Sequence, residues 1–189
     1  MKFNEMINQV ICADCFDILP QIPDKSIKLC VADAPYMVPI WKELTNKLFP
    51  ELFRIAEISI IPYLAAQLGK DYIDYIKEKY PPYQLIEFYI NSIREKIYFL
   101  QYGEKLIPSQ ITIENDKAVK CNHSCPRPIL WAEQLIKRLT DEGDLILDLF
   151  AGSGVISITA KKMNRKYIAI EIEPRHCEAL KNKLNKEDL

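Results

Sequence analysis

The most reactive-looking residues of the sequence form the short element Asp33-Ala34-Pro35-Tyr36, which directly follows an apolar run. An amino group on an aromatic base is a poor nucleophile, because its lone pair is delocalised into the ring. A carboxylate and a backbone carbonyl that accept both of its N–H bonds would favour a tetrahedral nitrogen whose lone pair can attack. Pro35 stiffens the turn, and the ring of Tyr36 offers a stacking face for a base swung out of a helix. Taken alone, an acid before a Pro-Tyr turn is also a common structural device.

A second candidate site is the turn Asp148-Leu149-Phe150-Ala151-Gly152-Ser153-Gly154, which follows an apolar strand and precedes a helix. The dinucleotide-binding fingerprint would need glycine where Ser157 stands, and a Walker loop would need a lysine after the second glycine. With Asp148 beside the turn, we expect a cationic or hydroxyl-bearing ligand rather than a phosphate. Glu171 ends the next strand, and its carboxylate can accept two hydrogen bonds from ribose hydroxyls.

Six cysteines raise the question of a metal site. The spacings Cys12-x-x-Cys15 and Cys121-Asn-His123-Ser-Cys125 are compatible with zinc ligands. Free thiols in a reducing compartment are the simpler interpretation, because Cys15 follows a strand end and Cys30 lies inside an apolar strand. We therefore expect no metal.

The elements that must position these residues alternate along the chain. Hydrophobic patterns predict strands over residues 9–13, 27–32, 58–62, 85–90, 97–101, 145–147 and 167–172. They predict helices over residues 42–56, 70–80, 129–139, 155–163 and 174–184, and an irregular polar stretch over residues 108–122. This alternation indicates a single-domain, Rossmann-like α/β fold with a doubly wound, mostly parallel sheet.

Composition limits the class of protein. A length of 189 residues suits one domain, and 49% hydrophobic residues can form a sizeable core. The net charge of −1 lacks the basic balance of many nucleic-acid binders, although a local basic face could still neutralise phosphates. No apolar run approaches the roughly 20 residues of a membrane span, and the N-terminus has no secretory signal pattern. We expect no membrane partner and a cytoplasmic, intracellular location, in the host cytoplasm if the protein is viral.

Together these elements resemble the amino-methyltransferases of DNA, in the permuted order in which the catalytic motif precedes the cofactor motif. The family's D-P-P-Y motif matches residues 33–36, and its D-P-F-x-G-S-G motif matches residues 148–154. Three flanking stretches also match: residues 10–20 the strand–Gly–Asp–Cys segment, residues 123–128 the H-P-x-x-K-P element, and residues 165–171 the R-x-Y-I-G-I-E strand. The resemblance implies a methyltransferase fold with three parts: catalytic (1–36), target-recognition (37–121) and cofactor-binding (122–189).

The resemblance also implies roles for individual residues. Asp33 and the carbonyl of Ala34 would hold the target amine, Pro35 would shape the turn and Tyr36 would stack on the flipped base. The cofactor would be S-adenosyl-L-methionine. Its binding residues would be Asp14, Cys15, Asp148, Phe150, Gly152, Ser153, Gly154 and Glu171. Within that group, Asp14 would bind the adenine amino group and Glu171 the ribose.

Several positions depart from the family pattern, but none removes a reacting group. Ala34 replaces the first proline of D-P-P-Y, which keeps the carbonyl and loosens the turn. Family members acting on cytosine N4 often carry Ser where those acting on adenine N6 carry Asp, so Asp33 favours adenine. Methylation of cytosine carbon 5 is disfavoured, since that chemistry needs a nucleophilic cysteine, usually after a proline, and here Cys125 precedes Pro126.

The resemblance implies double-stranded DNA as the partner. Candidate DNA contacts in the middle part are Trp41, Lys42, Lys47, Lys105, Lys117 and Lys120, each of which could equally be an ordinary solvated side chain. Because little of this part remains for a separate recognition domain, we expect a short recognition site or a second subunit, as in a homodimer.

Three other functions are compatible with parts of the sequence. A catalytically impaired cofactor-binding or DNA-binding protein is suggested by Ala34. An enzyme of the same fold acting on RNA, or on another amino-bearing substrate, is suggested by the small middle part and the nearly neutral charge. A nicotinamide-dependent oxidoreductase is disfavoured by Ser157.

Overall fold

The computed structural model describes residues 1–34, 41–63, 72, 74–82, 84–90, 95–113 and 129–186. Eight strands form one sheet: β1 (Gln9–Cys12), β2 (Ile27–Val31), β3 (Ala56–Tyr63), β4 (Gln84–Ile90), β5 (Glu95–Tyr102), β6 (Gln110–Ile113), β7 (Leu145–Asp148) and β8 (Lys166–Glu171). The helices are α1 (Phe3–Met6), α2 (Cys15–Ile18), α3 (Trp41–Ile55), α4 (described over 74–79), α5 (Ile129–Leu139), α6 (Val155–Lys162) and α7 (Pro174–Asn185). These elements confirm the predicted α/β alternation.

The sheet has the strand order β1-β8-β7-β2-β3-β5-β4-β6. The pairings of β1, β8, β7, β2 and β3 are all parallel. Strand β5 is antiparallel to both of its neighbours, whereas β6 pairs with β4 in parallel. The sheet is therefore mostly parallel, as predicted, with β5 as the reversed strand.

Two hydrophobic clusters cover the two faces of the sheet. One unites strand residues such as Leu29 and Ile146 with α5, α6 and α7. The other unites Cys30 and Leu147, their chain neighbours, with α3 and the segment after β3. Successive strand residues point to opposite faces, so a strand covered by helices on both sides must be apolar at consecutive positions. The uninterrupted apolar runs of β2 and β7 follow from this arrangement.

One predicted loop was wrong. Gln110–Ile113, within the stretch expected to be irregular, forms the edge strand β6. Its four residues include two isoleucines and a threonine, which are good strand formers, but the segment is too short to show a period against its polar surroundings. Residues 114–122 of the same stretch lie outside the described residues.

Helix α6 begins at a glycine that packs against α7. Gly154 has φ of +80°, and a Cβ atom built on it would lie 2.0 Å from Cδ1 of Leu180. Gly143 has a similar φ of +83°, but a Cβ atom there would meet nothing within 4 Å. Both positions therefore need a positive φ, which favours glycine. At Gly154 alone of these two, glycine also allows the start of α6 to lie close to Leu180 of α7.

We expect Gly154→Ala to lower the free energy of unfolding by about 3 kcal/mol or more, because backbone strain and overpacking add. The matched variant Gly143→Ala should cost only the strain, about 1–2 kcal/mol. Urea denaturation of both variants measures the difference. Equal losses would show that the contact with Leu180 relaxes without cost.

Candidate active site

The candidate site lies at the point in the sheet where the order of the strands reverses. From β7 the chain continues to β8 on one side, and from β2 it continues to β3 on the other, yet β7 and β2 are neighbours. The Leu149 amide donates to the Val31 carbonyl at 3.1 Å just beyond the paired strands. In open α/β sheets, ligands bind in the crevice outside the carboxyl ends of the strands at such a point.

The carboxyl end of β2 carries the first half of the predicted catalytic motif. Asp33 is partly exposed there, and Ala34 is buried with 5% of its surface accessible. Beside them, Val31 of β2 pairs with Asp148 of β7, so the two strand ends are adjacent. Pro35 and Tyr36 lie outside the described residues.

Asp148 is held by the first turn of α6. Its side chain is buried, and Oδ2 accepts hydrogen bonds from the Ser157 amide at 3.1 Å and the Ser157 hydroxyl at 2.6 Å. Burial raises the pKa of the Asp148 carboxyl to about 6. The hydrogen bonds from Ser157 lower this pKa, whereas the negative charges of Asp33 and Glu171 raise it further.

Glu171 is fixed by the backbone around it. Its Oε2 accepts a hydrogen bond from the Gly152 amide at 2.7 Å, and its Oε1 accepts one from the Glu173 amide at 2.9 Å. Only 9% of the residue is exposed. Each carboxylate oxygen can accept a second hydrogen bond, so the group is oriented and retains acceptor capacity. His176 Nδ1 lies 4.0 Å from Oε1 of Glu171.

The glycine turn connects these two acids. The Ala151 amide donates to the Ile170 carbonyl at 2.9 Å, which ties the turn to β8. Phe150 is partly buried against the cluster that contains α3. The Ser153 carbonyl accepts a hydrogen bond from Lys183 Nζ at 3.0 Å, so this turn is also attached to α7. The turn that follows Asp148 and binds Glu171 is therefore attached to both β8 and α7.

Asp14 and Cys15 lie at the end of the neighbouring strand β1. The Ala13 amide donates to the Glu171 carbonyl at 3.0 Å, which brings this segment beside β8. Asp14 is exposed and caps α2, because its Oδ1 accepts a hydrogen bond from the Phe16 amide at 2.9 Å. Cys15 is buried, and burial with the nearby charge of Asp14 raises the pKa of its thiol to about 12. Cys15 is therefore a packed thiol rather than a reactive one.

Three carboxylates thus gather at one edge of the sheet, from β2, β7 and β8. The sequence predicts Asp33, Asp148 and Glu171 as site residues. It predicts no role for Ser157 beyond the absence of a dinucleotide-fingerprint glycine, and none for His176. No sequence signal pointed to His176. The spacing of nine residues between Asp148 and Ser157, from a strand end to the first turn of the next helix, could have suggested their hydrogen bond.

Four of the six cysteines lie within the described residues. Cys12, Cys15, Cys30 and Cys177 are free thiols there, and no group of three or more His, Cys, Asp or Glu residues in the described ranges could hold a metal ion. Cys121 and Cys125 lie outside them. Among the helices that the structure describes, none is long and apolar enough to cross a membrane.

Comparison with known proteins shows similarity to DNA methyltransferases. A type II methyltransferase of Bacillus subtilis, M.BglI, is 42% identical over 62 residues, which are 33% of this chain and 18% of that protein. The match thus spans about a fifth of that relative's length. A solved structure of the cytosine-N4-specific PvuII DNA methyltransferase has a TM-score of 0.75 at 13% identity, covering 95% of this chain and 87% of that chain. M1.HpyAVI, solved as a complex with SAM, has a TM-score of 0.70 at 20% identity, covering 94% and 98%.

A family model matches a longer range of the sequence than the relatives described above. It is the N6/N4 methyltransferase model, described as DNA methylase, and it matches residues 40–182. Since this range is more than half of the chain and includes both the glycine turn and Glu171, the protein belongs to the N6/N4 DNA methylase family.

Proposed function

We propose that this protein transfers a methyl group from S-adenosyl-L-methionine to the exocyclic amino group of a base in double-stranded DNA, with adenine N6 as the target. The observation that carries the proposal is the position of Asp33. It follows the carboxyl end of β2 at the switch point of the sheet, beside the acids that end β7 and β8.

The residues at this edge fit S-adenosyl-L-methionine. When bound, it supplies an electrophilic methyl group on a positively charged sulfur. The carboxylates of Asp148 and Glu171 provide the negative potential that a sulfonium needs. The spare acceptor capacity of Glu171 suits the two hydroxyls of a ribose, and the exposed Asp14 suits the adenine amino group. Cys15, Phe150, Gly152, Ser153 and Gly154 shape this part of the site.

Asp33 and the Ala34 carbonyl act on the target amine. Both are acceptors, so together they hold the two N–H bonds and leave the nitrogen lone pair directed away from them. The amine gains a methyl group and loses one proton. The Asp33 carboxylate is the group of the motif that accepts this proton. A base within a duplex cannot reach this crevice, so the proposal includes flipping of the base, with Pro35 and Tyr36 supporting it.

Adenine is proposed over cytosine because Asp33 stands where family members acting on cytosine N4 often carry serine. N4-cytosine methylation is the second candidate. It is favoured by the likeness in fold to the PvuII enzyme, which is cytosine-N4-specific. Both reactions use the same roles for Asp33 and Ala34, so the identity of the product separates them.

The partner is proposed to be double-stranded DNA bound at a short site, or through a second copy of the chain in a homodimer. Trp41, Lys42 and Lys47 support this proposal from the described part of the chain. Trp41 stacks edge-on against Tyr75 with ring centroids 5.4 Å apart, and the Lys42 ammonium lies 5.3 Å from the Trp41 ring. Lys42 and Lys47 are exposed in the first half of α3, the helix that follows the catalytic motif in the chain, and they can approach phosphates.

The reaction is tested by incubating the protein with unmethylated duplex DNA and labelled S-adenosyl-L-methionine, followed by digestion to nucleosides. We expect N6-methyladenine. Asp33→Ala should lower the transfer rate by about 10²–10⁴-fold, because the amine loses its charged acceptor, while cofactor affinity stays within a factor of about three. The exposed Asp74, on α4, gives the matched control Asp74→Ala, which should keep full activity.

Each other product has a definite meaning. N4-methylcytosine that disappears in Asp33→Ala would keep the mechanism and reject adenine as the target base. Transfer to RNA but not to duplex DNA would reject DNA as the substrate. Cofactor binding without any transfer would favour the impaired protein suggested by Ala34, and Ala34→Pro would then be the variant to assay.

The role of Glu171 is tested by direct titration with S-adenosyl-L-methionine. In Glu171→Gln, an amide N–H replaces one acceptor and opposes either the Gly152 amide or a ribose hydroxyl. We expect the dissociation constant to rise by about 10- to 100-fold, the size of a lost hydrogen bond to a charged group. Glu173→Gln is the matched control, since the exposed Glu173 contributes only its backbone amide to the site. Equal affinity in both variants would remove Glu171 from the cofactor site.

The raised pKa of Asp148 predicts how cofactor binding depends on pH. A cationic ligand is attracted to the ionised carboxylate, and the pKa of this group is about 6 in the free protein. Affinity should therefore rise as the pH increases through about 6, and it should level off where Asp148 is fully ionised. Asp148→Asn keeps an oxygen for the Ser157 hydrogen bonds and should flatten this dependence. An unchanged pH profile in that variant would show that another group controls it.

A further inference from the structure

A cavity of about 620 Å³ opens on the opposite edge of the sheet from the candidate active site. Its lining includes Ala56 and Ser59 of β3, and Lys28 of β2. Strands β2 and β3 run parallel to β7, so Lys28 and Ala56 lie near the strand ends opposite to Asp148, whereas Ser59 is level with Leu147 in the register and marks the inner end of the cavity. The volume is within the range of small-molecule sites, and the proposed methyl transfer makes no use of it.

Three aromatic rings form one wall of this cavity. Phe53, Tyr80 and Tyr102 all line it, and the centroids of the Phe53 and Tyr102 rings are 4.9 Å apart. The Tyr102 hydroxyl donates a hydrogen bond to the Tyr80 carbonyl at 2.8 Å, which fixes both residues. The rings also pack against one another, and the Lys79 ammonium lies 5.5 Å from the centroid of the Tyr80 ring. This preorganised apolar wall suits a planar ring, because little side-chain freedom is lost on binding.

A buried serine lines the same cavity. Ser59 has only 2% of its surface exposed. Its hydroxyl is a polar group that a bound molecule can contact.

The cavity also carries positive charge. Four lysines and two glutamates line it: Lys25, Lys28, Lys79, Lys105, Glu57 and Glu104. Three of the lysines have protein partners, since Lys25 donates to the carbonyls of Phe53 and Ala56, Lys28 pairs with Glu57, and Lys79 donates to Asn46. Lys105 has no ion pair or side-chain hydrogen bond within the described ranges. An anionic group would balance the excess of lysines, with Lys105 as its direct contact.

We propose that this cavity is a second binding site, for a nucleoside monophosphate. The base lies against the wall of Phe53, Tyr80 and Tyr102, a polar group of the nucleoside contacts the Ser59 hydroxyl, and the phosphate contacts Lys105. The site goes beyond the proposed methyl transfer and does not rest on it, because it shares no residue with the edge that carries Asp33.

The test is calorimetric titration of the whole chain with adenosine 5′-monophosphate, in the absence and in the presence of S-adenosylhomocysteine. We expect one bound nucleotide per chain with the same affinity in both conditions. Lys105→Glu should weaken binding at least tenfold and Ser59→Ala about threefold. Lys137→Glu changes an exposed lysine on α5, far from the cavity lining, and should leave the affinity unchanged.

Several results would overturn the proposal. Absence of binding, or equal affinity of the wild-type protein and Lys105→Glu, would reject the site. Displacement of the nucleotide by S-adenosylhomocysteine would place it in the cofactor site instead. Inorganic phosphate that binds as tightly as the nucleotide would reject the aromatic wall as a base site. Loss of affinity for duplex DNA in Lys105→Glu, without any nucleotide binding, would assign Lys105 to the DNA backbone. The nucleotide titration needs no methyl transfer, so a failure of the proposed function leaves it interpretable.

Discussion

The hydrogen bonds between Asp148 and Ser157 are the interaction on which the candidate site depends. They join the carboxyl end of β7 to the first turn of α6, and they give a buried carboxylate two donors. A buried charge without such partners would be neutralised or would destabilise the fold. With them, the turn between Asp148 and Gly154 has fixed ends, and its backbone is positioned to hold Glu171 through the Gly152 amide. Ser157 stands where a dinucleotide-binding fingerprint would need glycine, and it is the residue that holds the Asp148 carboxylate in place.

The three carboxylates at this edge interact unfavourably with one another. Asp33 and Glu171 both raise the pKa of Asp148, so some of the stability of the fold is lost in bringing the three acids together. Such an arrangement is typical of sites that bind a positively charged ligand, because binding relieves the repulsion. The same edge disfavours a ligand whose main feature is a phosphate. The cavity at the other edge, which is lined by four lysines and two glutamates, has the reverse preference.

Much of this structure could be predicted from the sequence, for reasons that differ between elements. The helix over 129–139 and the strand over 27–32 were predicted within one residue of Ile129–Leu139 and Ile27–Val31, because their hydrophobic patterns are long or uninterrupted. The acids at strand ends were visible because each follows an apolar run. The reversal of β5 and the edge strand β6 were not predicted, since local patterns do not encode strand direction or a short edge pairing. The contacts of Ser157 and His176 depend on tertiary proximity. The predicted DNA contacts at Lys117 and Lys120 lie outside the described residues.

The adjacency of β2 and β7 has a consequence for how the chain folds. Val31 pairs with Asp148, so the centre of the sheet joins segments from near the two ends of the sequence. Non-local parallel pairing of this kind closes late, because the entropy of a long loop must be lost before the contacts form. During synthesis, β2 can pair with β3 soon after both are made, but its other side stays unpaired until β7 emerges, and β1 has no partner strand in this sheet until β8 emerges. The crevice between Asp33 and Asp148 therefore cannot form in a partly made chain.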